Sequence, residues 1–383
     1  MNLIHEIRHN LMRDIDTERH HVLVRPIHSM GFLTYRCTSR CRTCNIWKRN
    51  KETSSAEISK DDWLAVLSRL KQSGVRDFEL FGGDALLRED VIFDVVRYCS
   101  DNGMETFFPT NSISCNQQTV RKLIDAGLGT IYLSLDDVGE ENDEIRGVDG
   151  TFATVKKTLE SFIEERGART SPQIIVCTTL SNINYRNFPK LVDFLDKYPI
   201  DAIYPRPLGE FAVDNVVASR IDGLEPEPYF MPSDGQSHLL SSEQYDELNS
   251  IFAQYKDRGH GVYVNLLAHY LSARDTFTKG EYPLKHCHIA TTLVTINPNG
   301  DVVPCPFFRA YTIGNLVNQE LSEIWGNERH RKFIKLQQSG NLPICKNCNM
   351  RVYYPSLYEK CGFYIQRSLE KLGLKKSNQG NYT

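Results

Sequence analysis

Three cysteines fall close together in the run Cys37-Thr38-Ser39-Arg40-Cys41-Arg42-Thr43-Cys44, separated by three and then two residues. Closely spaced thiolates are the ligands of iron–sulfur clusters, and three of them can each reach one iron of a 4Fe–4S cube. With no fourth cysteine nearby, one iron would stay open to a ligand that is not protein. A zinc knuckle is the other chemistry this spacing allows. A second set stands near the far end: Cys287, Cys305, and the pair Cys345 and Cys348 of a CxxC. Apolar runs at 291–296 and 301–304 flank Asn297-Pro298-Asn299-Gly300, and an Asn-Gly turn between such runs predicts a β-hairpin. That hairpin would carry Cys287 and Cys305 to one end, where with the CxxC they could hold a cluster or a zinc ion.

The elements that must position these thiols alternate along the chain. Short apolar runs at 31–36, 77–81, 104–109, 130–135, 173–179 and 200–206 read as strands. Amphipathic runs at 57–73, 88–101, 117–126, 152–166 and 185–197 read as helices. Asp61, Asp62, Thr119 and Asn187 stand near helix starts, and Gly74, Gly103, Gly127 and Gly167 just past helix ends, the expected punctuation. Strand and crossover helix repeated in this way build a parallel sheet with right-handed connections. Periodicity alone fits an open doubly wound sheet or a barrel. A β/α barrel places its chemistry on the loops at the carboxyl ends of its strands, and the first three cysteines follow strand one.

At 383 residues the chain can hold two domains, or one large barrel with an appended module. A net charge of −3 argues against a general polyanion binder, so no nucleic-acid partner is expected. No apolar run approaches the ~18 residues of a membrane span, and no signal peptide opens the chain. Residues 2–12 read as a short amphipathic helix packed on the barrel. Eleven cysteines grouped at metal-ligand spacings in a chain this long fit a reducing cytoplasm better than a disulfide framework.

The first cysteine loop resembles the signature of the radical S-adenosylmethionine (SAM) superfamily. That resemblance favours a partial (β/α)6 TIM-like barrel. It implies that SAM chelates the open iron and that an electron from the cluster cleaves it to a 5′-deoxyadenosyl radical. Gly82-Gly83-Asp84-Ala85 resembles the family's Gly-Gly-Glu-Pro segment, which meets the SAM amino group. Here aspartate replaces the glutamate and alanine the proline, and the shorter carboxylate would need a closer loop or a water. Asn111, in Pro109-Thr110-Asn111-Ser112, is similar to the Thr-Asn-Gly of relatives. Ser134 and Arg146, in Ser134-Leu135-Asp136 and Arg146-Gly147, are implied contacts to the SAM ribose or carboxylate. Asp136 and Arg146 could equally close the loop as an ion pair. Thr179 is a further implied SAM contact, and Arg206, between two prolines, would bind an anionic group on SAM or substrate. Cys115 and Cys177 stand near strand ends as candidate hydrogen-atom donors to a substrate radical.

Cys287, Gly300 and Cys305, then Gly314-Asn315-Leu316 and Glu323-Ile324-Trp325, resemble the SPASM auxiliary-cluster domain. The chain stops after one CxxC, as in the shortened, single-cluster "twitch" form. Cys361 is left over, either as a replacement ligand or packed near a terminal helix. The expected organisation is an N-terminal helical extension (1–29), a radical SAM partial barrel (30–258), a linker (259–285), a small α+β SPASM/twitch domain (286–365) and a terminal tail (366–383). Residues 209–242 form a substrate-side loop within the barrel. The resemblance implies an enzyme with two 4Fe–4S clusters and SAM, reduced by a flavodoxin- or ferredoxin-type partner. A fully cysteine-bound auxiliary cluster would accept an electron from the substrate radical. The expected reaction is dehydrogenation or epimerisation of a small polar molecule such as a sugar or aminocyclitol. The alternatives are modification of a ribosomally made peptide and, in another class, a non-catalytic zinc protein. Only about thirty residues precede strand one, too few for a leader-peptide recognition domain, which counts toward the small molecule.

Overall fold

The computed structural model describes residues 25–51, 57–256, 258–270, 272–282 and 287–351. The helix expected at 2–12, Cys361 and the terminal tail lie outside the described residues.

Six parallel strands follow one another in space as in sequence: β1 (His28–Thr34), β2 (Asp77–Gly82), β3 (Glu105–Thr110), β4 (Thr130–Ser134), β5 (Gln173–Leu180) and β6 (Ala202–Pro207). Between them run α1 (Lys60–Gln72), α2 (Glu89–Asp101), α3 (Gln117–Asp125), α4 (Glu140–Arg146), α5 (Thr151–Arg166) and α6 (Phe188–Leu195). The seven residues of α4 carry three acids in the first turn, and sequence periodicity did not mark them. Elsewhere observed and expected elements agree within a few residues. The helix starts carry a lesson in capping. Ser59 accepts from the Asp62 amide while Asp62 returns a bond to the Ser59 amide, a capping box in which the aspartate is the third residue. Asn116 caps α3 by accepting from the Thr119 amide. Of the expected start signals, Asp62 and Thr119 are partners of the true caps, while Asn187 is itself the cap residue of α6.

Strand alternation sorts side chains onto two faces. Phe78, Leu80, Phe108, Ile131, Ile174, Val176 and Ile203 are buried under the helices, with Trp63 of α1 meeting Phe78 edge-on at 6.0 Å. The opposite face is the concave interior. It carries Glu79 in register with Phe107, Ser134 with Cys177, and Cys177 with Tyr204. The architecture is a partial (β/α)6 barrel.

The C-terminal domain extends this sheet rather than standing apart. β7 (Leu293–Ile296) runs parallel to β1, with His28 opposite Leu293 and Gly31 opposite Ile296. β8 (Asp301–Val303) pairs antiparallel with β7 and β9 (Gly314–Asn315) with β8, completing one nine-stranded sheet. The hairpin expected around Asn297 to Gly300 is thus present. Residues 259–285 do more than link: the Ile203 amide donates to the Tyr263 carbonyl and the Asn265 amide to the Ile203 carbonyl, each at 2.8 Å, covering the free edge of β6.

Candidate functional site

The cysteine loop leaves β1 and is fastened on every side. Asn50 Oδ1 accepts from the Cys37 amide at 2.7 Å and Asn50 Nδ2 donates to the Cys37 carbonyl at 2.8 Å. The Arg40 and Arg42 amides donate to the carbonyls of Arg146 and Ile145 at 2.9 and 3.0 Å, docking the loop on α4. The Asn45 amide donates to the Tyr229 carbonyl at 2.9 Å, and the Ser233 amide to the Arg42 carbonyl at 2.7 Å. The long 209–242 stretch is therefore a brace for the cysteine loop.

Gly82 and Gly83 answer to the same loop. A Cβ on Gly83 would lie 2.1 Å from the Arg36 carbonyl oxygen and 2.9 Å from Cys37 Cβ, so any side chain there would push the cysteine loop away. Asp84, buried, accepts from Thr38 Oγ1 at 2.6 Å, from Ser114 Oγ at 2.7 Å and from the Leu86 amide at 3.2 Å. Asn111 Nδ2 donates to Thr38 Oγ1 at 2.9 Å and lies 3.8 Å from Cys37 Sγ. Asp84, Asn111 and Cys37 thus share one network whose hub is Thr38. Thr38, Ser114 and Asn50 were not singled out from the sequence; Thr38 sat inside the motif, while Asn50 carried no signal.

Arg146 and Asp136 form an ion pair at 2.8 Å with both side chains largely buried, and Arg146 Nη1 lies 4.0 Å from Cys41 Sγ. Asp136 Oδ1 also accepts from the Thr179 amide at 2.8 Å, which ties β5 to the pair. A Cβ on Gly147, at φ +67°, would sit 2.4 Å from the Arg40 carbonyl oxygen. The Arg-Gly pair therefore closes the loop, one arm by charge and one by close backbone approach. Ser134 stands at the end of β4 opposite Cys177.

Two expected residues lie elsewhere. Cys115 turns toward the helix layer, where its thiol hydrogen-bonds Thr158 of α5. Placement near a strand end did not decide which face it would take, and it is not at the inner face where a hydrogen-atom donor would stand. Arg206 does not join the cysteine-loop network; its electrostatic neighbours are Glu79, Tyr132 and Cys177 on the inner face, and Tyr282. Cys177 does face inward. Cys99 is fully buried in α2, as expected of a core residue.

Burial pushes the Cys37 thiol up to about 12, helped by the neighbouring Cys41, and raises Cys41 and Cys44 as well. Such thiols keep their protons at neutral pH until a metal displaces them, so loading iron here releases protons. The residues fit a cluster with a further ligand: the three thiols feel one another's charge, and beside them Ser39 Oγ and Arg146 Nε are buried polar atoms with no hydrogen-bond partner among the described residues.

The second set converges too. Cys287, Cys305, Cys345 and Cys348 line one pocket with Ile289, Phe307 and Ile344. Among the described residues no three His, Cys, Asp or Glu side chains gather tightly enough to hold a single metal ion. The four thiols ring a pocket, the shape that a cube of iron and sulfide fills. Burial and mutual repulsion raise Cys305 and Cys348 far above the ordinary thiol range, and burial pushes Cys345 up to about 12. Tyr229 connects the two sets. Its carbonyl holds Asn45, its ring packs 5.0 Å from Phe307, and its hydroxyl donates to Met350 Sδ at 3.3 Å.

Comparison with known proteins agrees with this geometry. Residues 32–195 match the radical SAM superfamily and residues 287–349 the SPASM iron–sulfur cluster-binding domain. The chain is 28% identical to a PqqA peptide cyclase of Methylocella silvestris over 146 residues, spanning 38% of each protein. It is 26% identical to an AdoMet-dependent heme synthase of Methanosarcina barkeri over 340 residues, covering 84% of this chain and 90% of that one. The crystal structure of Streptococcus suis SuiB superposes with a TM-score of 0.62 at 18% identity, covering 91% of this chain and 77% of that chain. Among the described residues no helix is long and apolar enough to cross a membrane. The chain is an enzyme of the radical SAM superfamily with a C-terminal SPASM iron–sulfur domain.

Proposed function

We propose that this enzyme dehydrogenates one residue of a peptide, and that its four C-terminal cysteines would hold a single auxiliary cluster of the twitch form, which would supply the acceptor for the second electron while the accompanying proton leaves to solvent. The supporting observation is the convergence of all four C-terminal thiols on one pocket. Four cysteines saturate a 4Fe–4S cube, which leaves that cluster no position for substrate and suits it to electron transfer. The relative named PqqA peptide cyclase favours the peptide over the sugar or aminocyclitol.

When bound, the first cluster and SAM supply the radical that opens an unactivated C–H bond. The protein's own part is positioning. Cys37, Cys41 and Cys44 hold the cluster, Asn50 and α4 fix their loop, and Asp84 with Asn111 shapes the SAM side through Thr38. Ser134, Thr179 and the Asp136–Arg146 pair close the opposite wall. Cys287, Cys305, Cys345 and Cys348 hold the auxiliary cluster in an apolar pocket that keeps water out.

The test is anaerobic reconstitution followed by iron counting, then dithionite, SAM and precursor peptides encoded beside the gene. About eight irons per chain, 5′-deoxyadenosine, and a peptide lighter by two hydrogen atoms are expected. About four irons would remove the auxiliary acceptor. Oxidation of sugars with peptides untouched would overturn the peptide reading.

A further inference from the structure

The inner face of the sheet carries a pair of opposite charges that the cysteine sites do not use. Glu79 stands midway along β2 with its side chain inward, in register with Met30 and Phe107. Arg206 projects from the end of β6, beside Thr179 of β5. Among the described residues neither makes a hydrogen bond or ion pair, although the charge of Arg206 reaches the Glu79 carboxylate. Between them lies an aromatic wall. Phe107 stacks on Tyr132 at 6.5 Å, Tyr132 meets Tyr204 at 6.2 Å, and the Arg206 guanidinium lies 6.0 Å from the Tyr204 ring. The charge of Arg206 also reaches Tyr282, alongside Arg351 and Cys348 of the auxiliary set.

A guanidinium and a carboxylate that face one space without touching leave both recognition functions open to a ligand. A planar guanidinium prefers a carboxylate, which it can hold in two parallel bonds. A half-buried carboxylate takes a hydrogen-bond donor, and stacked rings accept the flat or apolar body between. We propose that this face is the substrate site and that it selects a peptide residue bearing a carboxylate, Arg206 taking that carboxylate and Glu79 a donor on the same residue. The proposal rests on the peptide reading above and names its target as an acidic side chain. Burial pushes the Glu79 carboxyl up to about 7, with Arg206 opposing and Asp77 adding to the rise, so an N–H or O–H partner on the substrate stabilises the ionised form.

The test uses the reconstituted full chain with SAM and three probes: acetyl-Ala-Glu-Ala-amide, its glutamine counterpart, and glutarate. Binding is read by calorimetry, and 5′-deoxyadenosine release is read in parallel. The expected result is that the glutamate peptide binds about 10- to 100-fold tighter than the glutamine peptide, and that Arg206→Gln erases this difference. Arg206→Lys keeps the charge, loses the two-bond geometry and retains part of the preference. Equal binding of the two peptides, silence from every acidic probe, or a preference that survives Arg206→Gln overturns the proposal. So does an Arg206→Gln variant that loses SAM affinity instead, which would return the guanidinium to the cofactor. If only glutarate binds, and does so through Arg206, the carboxylate site stands and the peptide reading falls. If both peptides react alike, the peptide reading stands and the selection falls.

Discussion

Replacing Arg146 by glutamine separates two roles for this residue, as SAM ligand or as lock of the cysteine loop. The guanidinium lies 2.8 Å from Asp136 with side-chain exposures of 13% and 5%, and it adjoins Cys41. Removing one member of a buried pair leaves the other charge without compensation and costs about 3–5 kcal/mol. At about 2–4 °C per kcal/mol for a domain of this size, the SAM-free protein should melt roughly 6–20 °C lower. Asp136→Asn in the same chain removes the stranded charge, so the double variant should recover most of the loss. The assay is thermal unfolding of the reconstituted enzyme without SAM, together with calorimetric SAM affinity. A melting temperature within about 2 °C of wild type, combined with weakened SAM binding, would refute the lock and make Arg146 a direct ligand.

Gly147→Ala forces a side chain into left-handed backbone 2.4 Å from the Arg40 carbonyl oxygen and should cost about 1–3 kcal/mol; iron should fall at the first site and hold at the second, read by spectroscopy of each cluster. Asn50→Leu strips both hydrogen bonds from the Cys37 backbone and should lower iron retention at the same site, with the C-terminal cluster unchanged. His330 accepts from the Gly326 amide through Nδ1 at 3.0 Å and donates to the Ala290 carbonyl through Nε2 at 2.7 Å, so protonation would set two donors against each other. Burial holds its pKa down at about 4 against an ordinary 6.5. The unfolded chain therefore binds the proton first, and stability is lost as pH falls from about 6.5 toward 4 by up to roughly 3 kcal/mol. The melting-temperature advantage of wild type over His330→Gln should shrink across that window, and parallel curves would count against it.

Much of this molecule could be read before its fold was known, because cluster ligands and β/α repeats write themselves in local spacing. Seven cysteines could be sorted into two sets on spacing alone, and the six strands fell where their apolar runs lay. What escaped was whatever depends on contacts between distant segments. Asn50 clamps Cys37 from a position with no motif, and Tyr229 joins two sites from a stretch with no periodicity. The Gly-Gly step resembles a segment that meets SAM, and contact between distant segments adds what spacing does not carry: Gly83 clears the cysteine loop itself. Cys115 and Cys177 looked alike in sequence; only the register of β5 and the hydrogen bond to Thr158 separated inner face from outer layer.

The pairing of β7 with β1 has a consequence for how the chain is made. During synthesis, the strand from which the first cysteine loop hangs keeps one bare edge until β7 emerges, roughly two-thirds of the chain later. Exposed edges recruit other strands, and pairing across so long an interval is slow to form. A ribosome-bound intermediate thus carries three iron-binding thiols on an unfinished sheet. Arrival of the hairpin seals that edge while bringing in Cys287 and Cys305, so sheet completion sets half of the second thiol pocket in place before Cys345 and Cys348 follow.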